Sequence, residues 1–335
     1  MSGKRQHFQP RFLLKGFSSK RIGDIYFSWL YRKNTIPKEV DIRDIGVEKK
    51  FYNNGNSKID EAITEEENYL GMLVNKLRCS KYENTLDSKK ISLLISHLEI
   101  RTRHLRESFL DLSNILFSEI IKYFKKPENL NKFISEQLEK SINKELSAHH
   151  IPMYQRAHKR SLIRANIKPV IENQFNHFLN FGINDLFNKM PDTVKKGQLK
   201  ALSKSVIPKK RADEYSRLLW SLCHSKENYI FGDFGILIEI DSPKQFTTFW
   251  TKDFKIKKVF LPISSNCLLV GSYSLGDNIK EAAELNIIIA EHSREYFISS
   301  INDAKLMDLT NLIGSKSQIF TEEEIVKFCE SIFKF

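Results

Sequence analysis

Apolar residues recur at helical spacing through the middle of the chain and in short aromatic or β-branched runs towards both ends. Ile63, Leu70, Val74 and Leu77 mark a stripe over 59–78, and Glu67 falls on that stripe, four after Ile63 and three before Leu70. Ser88 is placed to cap a long helix running to about Lys125, with Ile91, Leu94, Leu98, Leu105, Phe109, Leu112, Leu116 and Ile120 as its apolar face. The gap in that face is filled by Arg101. An amphipathic helix is expected over 127–147 and further helices over 279–293 and 321–333, the last with Thr321 and Glu324 at capping-box spacing. Asp24–Tyr31 reads as a strand and 39–47 as a weaker one. Residues 229–240 read as two strand segments broken by Gly232-Asp233-Phe234-Gly235, followed by strands at 246–250, 257–263 and 267–273 and an extended stretch at 295–299.

This pattern predicts a helix-rich α+β fold, with a mostly antiparallel sheet built from N- and C-terminal strands and a central helical segment. Its 335 residues suit one large domain or two ordinary ones. With only 13 Gly and 9 Pro there is no long linker, so a single compact domain over 1–335 is expected. Its parts would be N-terminal strands (1–58), a helical lobe (59–216) and a mixed lobe (217–335).

The opening run, Gln6-His7-Phe8-Gln9-Pro10-Arg11-Phe12-Leu13-Leu14-Lys15-Gly16-Phe17, departs from the loose polar character usual at chain ends. Its apolar groups are enough to draw it into the body of the protein, and His7 with it.

Charge changes the picture further. The net charge of +12 is concentrated. Residues 1–50 hold 12 Lys/Arg against 5 Asp/Glu, and residues 149–216 hold 13 against 5, whereas the remainder is balanced or slightly acidic. Such concentration fits a polyanion-binding surface; a lysine-rich solvated surface is the plain alternative. Arg156, Lys159, Arg160, Arg164, Lys209, Lys210 and Arg211 are the candidate nucleic-acid contacts, interleaved with Tyr154, Phe175, Phe178, Phe181 and Phe187. Phe175, Phe178 and Phe181 also suit simple core packing. Cys79, Cys223, Cys267 and Cys329 lack metal-site spacing, and no metal site is read at the paired His149-His150. No apolar run reaches transmembrane length and Met1–Arg5 lacks a signal-like sequel, so a cytoplasmic protein with no membrane partner is expected. No nucleotide-cofactor motif is present.

Three charges sit where charge is costly. Arg101 in an apolar stripe must pair with carboxylate, phosphate or carbonyl groups, and Glu67 is one candidate. Glu67 has a second explanation in a capping box over Thr64–Glu67. Asp233 sits between glycines at a strand break, where it suits a metal ligand, a general base or a plain turn residue. Asp233, Glu239, Asp241 and Lys244 only loosely approach a restriction-type core, because position 241 is Asp where that pattern has Lys.

The chain resembles the bacterial domain-of-unknown-function family 4238. The likeness rests on His7–Phe17, similar to an opening His-x-x-Pro-x-Phe-x-Leu-x-x-Phe, on Val47–Tyr52, Ile59-Asp60-Glu61 with Glu67, Arg101-Thr102-Arg103, Phe231-Gly232-Asp233, Leu261–Ser264, and Asn286 with Arg294. His7, Glu67, Arg101 and Asp233 match motif positions. The flanks of Asp233 depart from the family's usual Ser-Asp-Asn-Pro.

These readings lead to a nucleic-acid-cleaving enzyme as the first expectation, an RNA-directed toxin or antiviral effector. His7, Glu67, Arg101 and Asp233 would be catalytic, with Glu67 and Asp233 holding Mg²⁺ or Mn²⁺ or serving as acid and base. The alternatives are a non-catalytic nucleic-acid-binding module, and an interaction or sensor protein with a buried polar network. Oligomeric state is left open.

Overall fold

The structure is a computed structural model, and it describes residues 5–52, 58–80, 86–149, 151–274 and 280–333, with side chains as far as residue 327. The polar loop read at Asn53–Ser57, His150 and the Cys329 side chain lie outside the described residues. The chain packs as two units: residues 1–108 with 195–319, and residues 109–194 with 320–335. These boundaries differ from the lobes read in the sequence.

The first unit begins with β1 (Arg5–His7), a short helix α1 (Arg11–Leu14), β2 (Lys20–Ile22), β3 (Ile25–Arg32), β4 (Lys38–Asp41) and β5 (Val47–Lys49). The opening run is anchored as its composition requires. Leu13, Leu14 and Phe17 are wholly buried in the main core, and Phe8 packs with Phe51, Tyr52, Ile59 and Ile63 in a smaller cluster. Gly16 makes that docking possible. A Cβ there would lie 2.3 Å from the Ile263 carbonyl oxygen and 2.9 Å from the Ser264 Cα, too close for any side chain.

Two long helices follow, α2 (Lys58–Cys79) and α3 (Ser88–Ile100), and then α4 (Arg103–Phe124). The single helix expected over 88–125 is therefore two. Arg101 closes α3 at φ −103° and ψ −5°, and the Thr102 hydroxyl accepts the Leu105 N–H at 3.2 Å to start α4. Asp87, not Ser88, caps α3 by accepting the Lys90 N–H. The expected Thr64–Glu67 capping box is also absent. Thr64 lies inside α2 and donates to the Asp60 carbonyl at 2.8 Å, one turn back.

The second unit takes up most of α4, with α5 (Pro127–Ala148), α6 (Met153–His177) and α7 (Ile183–Lys204), the last crossing back into the first unit. Its core joins Phe124, Leu130, Ile134 and Leu179. Phe175 packs there against Phe124, but Phe178 and Phe181 are exposed beside a five-residue π-helical turn. Core packing thus accounts for one of those three phenylalanines.

The first unit resumes with α8 (Lys209–Tyr215), β6 (Leu219–His224), β7 (Phe231–Gly232), β8 (Leu237–Ile240), β9 (Phe246–Thr247), β10 (Ile256–Ser264), β11 (Cys267–Ser272), α9 (Ala282–His292), β12 (Tyr296–Ser299) and α10 (Ala304–Leu309). Finally α11 (Glu322–Phe333) opens with the expected capping box, in which Thr321 and Glu324 exchange backbone-to-side-chain bonds at 2.8 and 3.2 Å. The fold is the helix-rich α+β class, and its pairings are antiparallel. One sheet joins N-terminal β2, β3 and β4 to C-terminal β12 and β7. A second sheet runs β6-β11-β10-β8-β9, and β1 pairs with β5 as a ribbon. No helix among the described residues is long and apolar enough to cross a membrane.

Candidate functional site

Three of the four singled-out side chains belong to two polar knots that fasten the opening run, and His7 joins the first through its backbone. That knot is centred on Arg101, which is 1% exposed. Its guanidinium donates to the Glu67 carboxylate, to His97 Nε2 at 2.8 Å, to the His7 carbonyl at 2.6 Å and to the Tyr52 hydroxyl at 3.2 Å. The break between α3 and α4 aims Arg101 inward at this point. His97 fits as a neutral ring: Nδ1 faces the Val206 carbonyl at 3.0 Å, an acceptor only, so Nδ1 carries the proton and Nε2 receives from Arg101. Burial and the neighbouring guanidinium push the His97 pKa down to about 3. Gln6 extends the knot by accepting the Tyr52 N–H at 2.7 Å.

The His7 side chain stands beside this knot, half-buried. Its Nδ1 lies 3.2 Å from the Ile45 carbonyl. Burial first and then Arg11 lower its pKa to about 4, with Arg101 and Arg5 adding to them and the Ile45 hydrogen bond opposing.

The second knot holds Asp233. One carboxylate oxygen accepts the Arg294 N–H at 2.9 Å; the other accepts those of Glu295 at 2.6 Å and Tyr296 at 3.3 Å. Asp233 thus closes the turn from α9 into β12. Burial raises its pKa to about 6 in spite of those three bonds. The flanking Gly232 leaves room for protein atoms, because a Cβ there would lie 2.5 Å from the Phe234 ring and 2.6 Å from the Ser293 hydroxyl. Gln9 ties this knot to the opening run, donating to the Gly232 carbonyl at 2.7 Å and accepting from the Tyr296 hydroxyl at 2.8 Å. The recess beside Asp233, bounded by Phe8, His104 and Tyr296, holds about 10 Å³. That is room for roughly one water.

The Glu67 and Asp233 carboxylates, expected to share a cation, are each committed to protein donors. Among the described residues no group of three or more His, Cys, Asp or Glu side chains could hold a metal.

The basic residues are placed in three settings. Arg156, Arg160 and Arg164 recur every four residues on α6 and turn to their own unit: Arg156 to the Ile151 carbonyl, Arg160 to Asn143, and Arg164 to Glu139. Arg211 is drawn inward, pairing with the wholly buried Glu99 at 2.7 Å, donating to the Trp250 carbonyl at 3.2 Å and covering the Phe249 ring. Lys159, Lys209 and Lys210 are exposed. Sequence reading did not single out Glu99 or Trp250, and it met Gln9 and Tyr52 only as members of longer motifs. The one available signal was uncharged or acidic polar residues set within otherwise apolar runs.

The fold and these knots define a helix-rich α+β protein whose N-terminal run is bolted into the core by buried polar side chains. The chain belongs to the family described as Protein of unknown function (DUF4238), whose model matches residues 5–305, from the first residue of β1 into α10. No curated protein and no solved structure matches the chain.

Proposed function

We propose that this protein is a non-catalytic nucleic-acid-binding module acting in the cytoplasm. One observation carries the reading. Residues 195–211 hold seven Lys/Arg and no Asp/Glu. Within them Lys196, Lys200 and Lys204 lie exposed on α7 at four-residue steps, a line of cations spaced by a rise of about 6 Å. Exposed Lys209 and Lys210 open α8 just beyond. A ridge of this kind suits a phosphate backbone, whose charges it neutralises with release of counterions. The commitment of Arg101, Glu67 and Asp233 to structural bonds favours binding over cleavage.

Fluorescence anisotropy with labelled RNA and DNA tests the reading. Affinity is expected to fall steeply with salt and to drop on combined Lys196→Glu, Lys200→Glu and Lys204→Glu substitution. Binding that is unmoved by both changes would sink it.

Cleavage is the second reading, favoured by His7. With Nδ1 protonated against Ile45, Nε2 keeps a lone pair, and the ring stands beside Arg5 and Arg11. This reading keeps RNA as the preferred target and a toxin or antiviral role. Incubating the protein with RNA or DNA and Mg²⁺ or Mn²⁺ separates the two. Cleavage that is lost in His7→Ala supports this second reading; intact nucleic acid supports the first.

A further inference from the structure

We propose that a cleft beside β8, β10 and β11 takes an unpaired base together with its phosphate, an inference that rests on the nucleic-acid-binding reading and names the form of nucleic acid. The cleft has a volume of about 680 Å³, within the range of about 300–1,000 Å³ usual for small-molecule sites. Trp250, Phe254 and Tyr273 line it with aromatic rings, and Lys252 and Lys255 supply cations. Two of the acidic side chains there already have partners: Asp241 pairs with Lys257 at 2.9 Å and Glu214 with Arg217 at 2.8 Å.

Trp250 is the strongest element. It is half-buried, and each of its polar atoms is held. Its N–H donates to the buried Glu99 carboxylate at 2.7 Å, its carbonyl accepts from Arg211 at 3.2 Å, and its indole N–H donates to the Phe254 carbonyl at 2.8 Å. The ring therefore stands fixed at the cleft before any ligand arrives, which lowers the ordering cost of stacking. Arg211 also joins this platform to α8, whose first turn carries Lys209 and Lys210 beyond the α7 ridge. Phosphates following the ridge and bases stacking in the cleft are the two halves of single-strand recognition. A base already paired in a duplex does not offer its face.

Two sources share this chemistry, a free mononucleotide and an unpaired base within a strand. The test uses the full chain with three probes: a labelled single-stranded RNA of about 12 nucleotides, its duplex, and adenosine monophosphate followed by calorimetry. The single strand is expected to bind more tightly than the duplex. Trp250→Ala is expected to weaken single-strand binding at least about fivefold, with Trp250→Phe restoring most of it. Tyr273→Ala and Lys255→Glu alter exposed side chains, leave folding intact, and are expected to act in the same direction while sparing the duplex. Equal affinity for strand and duplex, or single-strand binding unmoved by Tyr273→Ala and Trp250→Ala, overturns the cleft and leaves the ridge standing. If neither strand nor duplex binds, the nucleic-acid reading falls, and the mononucleotide decides the cleft alone. Heat of binding that disappears in Tyr273→Ala supports it with a free nucleotide as ligand, and no heat overturns it.

Discussion

Arg101 and Glu67 form an ion pair in which the guanidinium is 1% exposed and the carboxylate 25% exposed. The pair joins α2 to the break between α3 and α4, and the same guanidinium holds the His7 carbonyl. It is a fastening with one wet side, and it explains how a chain start remains in the core.

Arg101→Ala is expected to lower stability by about 3–5 kcal/mol, because Glu67, Tyr52 and the His7 carbonyl lose a shared donor inside the protein. Glu67→Gln is expected to cost about 1–2 kcal/mol, since the amide oxygen still accepts and the site is partly solvated. Urea unfolding measures both. Limited proteolysis should release the first residues of Arg101→Ala before those of the wild type.

Stability is expected to fall as pH drops from 6.5 towards 4. His7 titrates near 4 and His97 and His104 near 3 when folded, all below their ordinary value of 6.5. Each therefore contributes stability that is present above pH 6.5 and lost on acidification, at about 1.4 kcal/mol per pH unit per histidine. Asp233, raised from 3.8 to about 6, works the other way: its contribution is present below pH 3.8 and lost as pH rises through 6. Burial also lowers the pKa of His292 and raises that of Glu99, so four histidines stand against two carboxyls. Melting temperatures between pH 4.5 and 7 check the sign, and His97→Gln should flatten the slope.

Gly16→Ala is expected to destabilise by about 2–4 kcal/mol, because the obstructing atoms are backbone atoms of Ile263 and Ser264 and cannot swing away. Thermal melts beside those of Gly197→Ala, where a Cβ meets nothing within 4 Å, supply the comparison.

Replacing Lys196, Lys200 and Lys204 together by Ala is expected to reduce the slope of log affinity against log salt by roughly 2–3, with little change in melting temperature. Titrations of RNA binding across a salt series read that slope directly. An unchanged slope would place the phosphate contacts elsewhere.

Much of the fold was readable from periodicity. Helices at 59–78 and 127–147, the strands around Gly232–Gly235 and the capping box at Thr321 stand where the pattern put them. The division at Arg101 was not readable, since no Pro or Gly marks it and the apolar stripe runs on at helical spacing across it. Thr64–Glu67 had the letters of a capping box without being a helix start, because the four-residue pattern says nothing of where α2 begins. Arg211 looked like a surface cation in a basic run, and its partner Glu99 lies over a hundred residues earlier in the chain.

The sequence by itself determined the helix-rich α+β class, the burial of the opening run and the concentration of charge, because these follow from local periodicity and composition. It also showed that Arg101 and Glu67 stood on apolar faces and needed partners. Only the tertiary structure decided that they partner each other with His97 and Tyr52, that Asp233 is held by three backbone N–H groups, and that Trp250 is fixed between Glu99 and Arg211. A buried polar group must be satisfied, but which of many distant groups satisfies it depends on how helices and strands far apart in the chain come together.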